Sequence, residues 1–224
     1  WMMSNRTIVV LLGLAVLAAG CGGGAGGQDT PKAAMKKFQA SILENDKDDF
    51  LEVVAYPEEH EEVVGALFDT IAGAARVQQK VATIYGEDAV AQFNEAGQGN
   101  MKASTSHIPT GDDWAGGLTY DVKDDTATVT DPSRPGEEAI ELTRKGDAWY
   151  IDFNALGDEM PEGEAKDMAL RMFAAMGKAL DETADEIEEG MSLEEAKATM
   201  QQNMQEALKP IMAEMMQKAM QGDR

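Results

Sequence analysis

The chain has 224 residues, 43% hydrophobic but only 6% aromatic, with 15 Met, one Cys and 19 Lys+Arg against 41 Asp+Glu for a formal charge of −22. That length suits one compact domain, or one domain plus an appendage, with a core built from Ala, Val, Leu and Met rather than rings. The charge excludes nucleic acid as a partner, because phosphates gain no counterion release on such a surface, and a single Cys excludes an internal disulfide.

Trp1 is no initiator, so the sequence predicts a start at Met2 or Met3. Arg6 gives a short basic head, and Ile8 to Ala19 is an apolar run broken only by Gly13. Twelve residues are too few to cross a bilayer as a helix and suit a secretory signal. The run ends in Leu17-Ala18-Ala19-Gly20-Cys21, followed by Gly22-Gly23-Gly24-Ala25-Gly26-Gly27, a stretch that cannot pack and reads as a flexible tether. Small residues before the Cys let an extended backbone thread past a peptidase. This arrangement resembles the lipobox of bacterial lipoproteins, with Ala18 where that family most often has Leu. The resemblance implies cleavage before Cys21, diacylglyceryl and palmitate-type acylation there, export, and anchoring in the cell membrane. Because Gly22 is not Asp, it implies the outer membrane where a cell has two.

Thr30-Pro31 is a helix start, and Met35, Phe38 and Ile42 at helical spacing predict a helix over 31–44. Asn45-Asp46 interrupts it, and Phe50, Leu51 and Val54 predict a second helix over 47–55, stopped by Tyr56-Pro57. Val64, Leu67, Ile71, Ala74, Val81 and Ile84 predict one apolar stripe on a helix from Glu58 to Tyr85, ended by Gly86. Residues 87–96 add a turn or two, and periodicity is then lost to Gly117. From Leu118 the period becomes two. Leu118, Tyr120 and Val122, then Ala127 and Val129, then Ile140 and Leu142, then Trp149, Ile151 and Phe153 predict four strands in a meander.

The tail returns to helical spacing. One stripe is Ala165, Ala169, Met172, Met176, Ala179, Thr183 and Ile187; the other is Leu193, Ala196, Met200, Met204, Ala207, Ile211 and Met215. Gly190 separates them, and Ser192 with Glu195 forms a capping box. Pro210 predicts a kink near Lys209. An antiparallel helical hairpin follows, with its Met residues as packing surface.

The expected fold class is therefore α+β: N-terminal helices packed on a four-stranded antiparallel meander, followed by a C-terminal helical hairpin. The expected parts are a signal peptide over 1–20, a tether over 21–29, an α+β domain over 30–156 and the hairpin over 157–224. Thr30-Pro31 with its Ala/Phe helix, Asn45-Asp46-Lys47-Asp48, and the closing Lys145-Gly146-Asp147-Ala148-Trp149-Tyr150-Ile151-Asp152-Phe153 resemble the nuclear-transport-factor-2-like (cystatin-like) cone. That resemblance implies a cone-shaped domain able to enclose a small apolar ligand. The chain departs from the family in placing its helices first and in adding about seventy helical residues after the sheet.

No motif assigns catalytic, cofactor or metal residues. His60 lies in the acidic run Glu58-Glu59-His60-Glu61-Glu62, which reads as a solvated helix start. His107 lies in the aperiodic stretch with nothing to pair it to a nucleophile. Asp121 and Asp152 alternate with apolar positions and should face water. The acidic pairs Asp124-Asp125 and Asp181-Glu182 lack the spacing of a calcium loop. The Met-rich run Met212-Ala213-Glu214-Met215-Met216 has the soft ligands that Cu(I) favours, yet Met215 belongs to the packing stripe. The expected function is a membrane-anchored, non-catalytic binding or structural module of the cell envelope. Its partners are the membrane through Cys21 and a protein or small apolar ligand. The alternative is a small-molecule enzyme with its pocket inside the cone.

Overall fold

The computed structural model describes residues 28–97, 113–133, 139–153 and 163–222. The signal run, Cys21, the Gly tether and His107 lie outside the described residues.

Helix α1 (Pro31–Leu43) opens with the Thr30 hydroxyl accepting from the Ala33 amide at 3.2 Å, and it buries Ala34, Met35, Phe38 and Ile42. Asn45, at φ 57°, reverses the chain into α2 (Lys47–Val53), capped by the Asp46 carboxylate. Val54 and Ala55 leave the helix and form strand β1. This corrects the expected helix over 47–55. A residue before proline disfavours helical backbone, and β-branched Val54 finds a hydrogen-bonding edge on a later strand.

A 3-10 turn (Glu58–His60) leads into α3 (Glu61–Tyr85), and α4 (Glu87–Gly97) follows across Gly86. A short helix, α5 (Trp114–Gly117), introduces the meander of β2 (Thr119–Lys123), β3 (Thr126–Thr130), β4 (Ile140–Lys145) and β5 (Ala148–Asp152). The strand order is β1-β5-β4-β3-β2. β1 runs parallel to β5, pairing Val54 with Ile151, while the other neighbours are antiparallel. The sheet is thus five-stranded and mixed, not a four-stranded antiparallel meander. Two residues of strand give no period to read, and a parallel partner about 100 residues away leaves no local signal.

One sheet face carries Ala127, Val129, Leu142, Trp149 and Ile151, all buried. The other face carries Asp121, Lys123, Thr126, Thr130 and Glu141, all exposed, and half-buried Thr128. Phe50 is fully buried at the meeting of the helices and the sheet, with ring centroids 5.4 Å from Phe38, 4.9 Å from Phe68 and 6.2 Å from Phe153. Burying one such ring contributes about 2–3 kcal/mol. Trp149 and Ile151 face the core as the alternation predicts, and Phe153 is half-buried against it.

The tail forms α6 (Glu164–Glu186) and α7 (Leu193–Gly222). The turn between them has Gly190 at φ 100°, and the capping box forms: Glu195 N–H donates to Ser192 Oγ, and Ser192 N–H donates to Glu195 Oε2 at 2.8 Å. α6 lies along α3 in the same direction, with Lys166 donating to Glu59 O at one end and Arg76 bridging Asp181 and Asp185 further on. Two glycines let the backbones approach. A Cβ on Gly73 would come within 3.0 Å of Leu180 Cβ, and one on Gly177 within 3.1 Å of the Asp69 carbonyl carbon. Thr70, buried in this seam, donates to Ala66 O at 3.2 Å and Phe173 O at 3.1 Å. Because α3 packs on α1 and α2 as well as on α6, it buries Val63, Phe68, Ala72, Ala75 and Val77 besides the expected Val64, Ala74 and Val81. The single expected stripe is too narrow. The buried core runs unbroken from α1 and the sheet through α3 to Ile187, Ala196 and Met200.

Candidate functional site

Among the described residues, chemistry-bearing side chains gather at three places. The first is where α1, α5 and β2 meet. There the Tyr120 hydroxyl donates to Ala115 O at 2.6 Å, and buried Gln39 accepts the Ala115 amide on Oε1 at 3.2 Å. Trp114 Nε1 donates to Asp131 at 3.4 Å, and Lys36 pairs with Asp113 at 3.6 Å. Burial first, and the Asp113 charge second, push the Tyr120 phenol up to about 12. At neutral pH it is a fixed hydrogen-bond donor, already used on a backbone carbonyl. This cluster therefore locks α5 between α1 and β2.

His60 marks the second place. It closes the 3-10 turn ahead of α3, half-buried, with Nδ1 out of water and without a hydrogen-bond partner. The acidic run predicted a solvated side chain; the turn instead tucks the ring inward. No nucleophile or carboxylate hydrogen-bonds that nitrogen. Asp121 is exposed and pairs with Lys123 at 2.7 Å, whereas Asp152 is half-buried rather than fully facing water. Among the described residues, no group of three His, Cys, Asp or Glu side chains gathers as a metal ion requires.

The third place is the C-terminal half of α7. Met212, Met215, Met216 and Met220 are 59%, 50%, 67% and 71% exposed, while Met200 on the same helix is 9% exposed. This corrects the expected packing role of Met215. Near its start α7 has Tyr85, at the end of α3, close to Glu195, and it also packs on α4. Toward its end the contacts fixing it are those to α6: Arg171 with Glu214 at 2.7 Å and Lys218 with Glu164 at 3.6 Å. One neighbouring helix covers one side only. Helical geometry puts Met212, Met216 and Met220 in a row, roughly opposite buried Ile211 and the Glu214 and Lys218 that reach α6. Sequence reading missed this surface because a Met at helical spacing looks the same whether or not a third helix arrives to cover it.

The chain matches no known protein family, no curated protein and no solved structure. No helix among the described residues is long and apolar enough to cross a membrane.

Proposed function

We propose that this chain is an exported lipoprotein, acylated at Cys21, whose folded part is a non-catalytic binding or structural module of the cell envelope. The anchor rests on the sequence: the apolar run over Ile8 to Ala19, the small residues up to Cys21, and the Gly tether behind it. The binding role rests on one observation, the row of exposed Met side chains on a helix otherwise fastened to the domain. Thioether side chains are unbranched and polarizable, so one surface can repack around different apolar contacts. Met212, Met216 and Met220 would engage a protein segment or a small apolar ligand.

The sheet with α1 and α2 packed on β5, reached through Thr30-Pro31 and closed by Trp149 to Phe153, fits a nuclear-transport-factor-2-like cone as the domain's ancestry. Tyr120 and Gln39 would then help to close that cone rather than act on a substrate.

Two substitutions test the two halves of the reading. Cys21→Ser should release the protein from the membrane fraction or block its processing and abolish palmitate incorporation. Unchanged retention and size would sink the anchor. Met212→Gln with Met216→Gln should leave folding intact and remove crosslinks formed from photo-reactive methionine analogues in whole cells. Persistence of those crosslinks would remove the binding surface from this face.

A further inference from the structure

We propose that the end of the sheet bearing the β2–β3 and β4–β5 turns lies against lipid headgroups. This rests on the anchor reading of Cys21 and says which way the domain stands on the membrane.

The first described residue, Gln28, lies within the stretch expected as tether over 21–29 and is held firmly. Gln28 O accepts the Trp149 amide at 2.7 Å, and Gln28 Nε2 donates to Glu52 O at 3.3 Å and to Trp149 O at 3.4 Å. The chain therefore joins the fold at the beginning of β5. The turn Lys145-Gly146-Asp147 comes immediately before that strand. The other turn, Lys123 to Thr126, is its neighbour: Arg144 donates its amide to Asp125 O at 2.8 Å and its Nε to Gly146 O at 3.1 Å. Both turns and the point of attachment share one end of the sheet.

Length then limits the geometry. Six residues lie between Cys21 and Gln28, so the tether, over its seven residue steps, reaches at most about 25 Å when fully extended. A folded body of this size has a radius of gyration of about 16 Å, and so is roughly 40 Å across. The attachment point cannot be turned to the far side, because the body would have to enter the bilayer.

The surface at this end agrees independently. The two turns carry Lys123, Arg144 and Lys145 against Asp124, Asp125 and Asp147, all exposed, whereas the whole chain has 19 cations to 41 acids. This is a locally balanced patch on an acidic protein, where anionic headgroups meet less repulsion. Lys123 also holds Asp121, and Arg144 lies 3.7 Å from Asp125. Beside Lys123 lies Val122, 49% exposed on the otherwise core-facing side of edge strand β2. An exposed apolar side chain next to a lysine suits an interface where aliphatic stems bury and charges stay at headgroup depth.

The far end is occupied differently. Phe153 donates to Ala55 O where β5 ends, the chain turns through Glu59 to Lys166, and Glu164 meets Lys218. That path links the C-terminal end of α7, which carries the Met surface, to the Phe153 end of β5 and not to the turn end.

Because acylation consumes the single native Cys, an added Cys can be labelled alone. The full lipidated protein, carrying Asp147→Cys or Gln217→Cys with a fluorophore, would be reconstituted in phosphatidylcholine/phosphatidylglycerol vesicles containing headgroup-nitroxide lipid. We expect a several-fold larger loss of fluorescence at position 147 than at 217. Adding Lys123→Glu with Lys145→Glu should narrow that contrast in vesicles with phosphatidylglycerol and leave it in pure phosphatidylcholine. Equal quenching, or stronger quenching at 217, on protein that remains with the vesicles would overturn the orientation while leaving the anchor standing. Protein that does not remain with them, and whose N-terminal peptide carries no acyl mass, removes the anchor and this orientation together.

Discussion

The two halves of α7 are made of much the same residues and live in different surroundings. Near its start, Ala196 and Met200 are buried; near its end, Met212, Met215, Met216 and Met220 stand mostly in water. What separates them is the number of helices beside them: α6 and α4 for the helix as a whole, and α6 fastened by Arg171 and Lys218 at its end. A Met stripe is thus core or contact surface according to its neighbours, and the spacing of the residues does not say which.

Truncation should expose that difference most sharply. Met200→Ala should cost about 2 kcal/mol, while Met216→Ala should stay within about 0.5 kcal/mol. Urea unfolding followed by circular dichroism checks both. Equal costs would mean that the exposed half is buried in solution after all.

A somewhat smaller effect tests the platform on which α7 rests. Gly177→Ala pushes a methyl group against the Asp69 backbone, which cannot step aside as a side-chain tip would. The expected loss is about 1–2 kcal/mol, read as a lower denaturation midpoint. A neutral result would show that the α3–α6 seam has slack.

Next in size is the cap. Ser192→Ala removes the acceptor for the Glu195 amide and should cost about 1 kcal/mol. Faster amide exchange should appear over residues 193–197 and leave residues near Met216 unchanged.

The smallest effect is the response to acid. Hydrogen bonds from Ser192 hold the Glu195 carboxyl below its ordinary range, and Arg171 does the same for Glu214. Each folded-state value lies below the unfolded one. Their contribution is therefore complete above the ordinary carboxylate value of about 4.3 and is lost as pH falls through the lowered values. Exchange near both ends of α7 should rise only in that acid window. A rise beginning near neutrality would implicate other groups.

Much of the fold could be read from residue order. Period-two alternation located the four meander strands, Thr30-Pro31 started α1, and Gly190 with Ser192 and Glu195 located the final turn. The parallel strand β1 was illegible because Val54 and Ala55 take strand geometry only through Ile151 and Asp152, about 97 residues later. The same holds for His60, whose acidic neighbours signal water while the 3-10 turn folds its ring inward. The exposed Met surface escaped for a related reason: exposure is decided by the reach of other helices, and no residue within α7 records it.

The Gln28 contacts have a mechanical side. β1 is two residues long and leaves the start of β5 without a strand on that side, and Gln28 fills that gap with main-chain and side-chain hydrogen bonds. Tension arriving along the preceding chain meets those bonds before it reaches Pro31 and α1. The bonds to Trp149 and Glu52 act as a strain relief. Pulling would first peel Gln28 from the sheet edge, while the Trp149 ring stays packed in the core and β5 keeps its pairing with β4. If the chain is anchored as proposed, it can be tugged without its core being the first thing to yield.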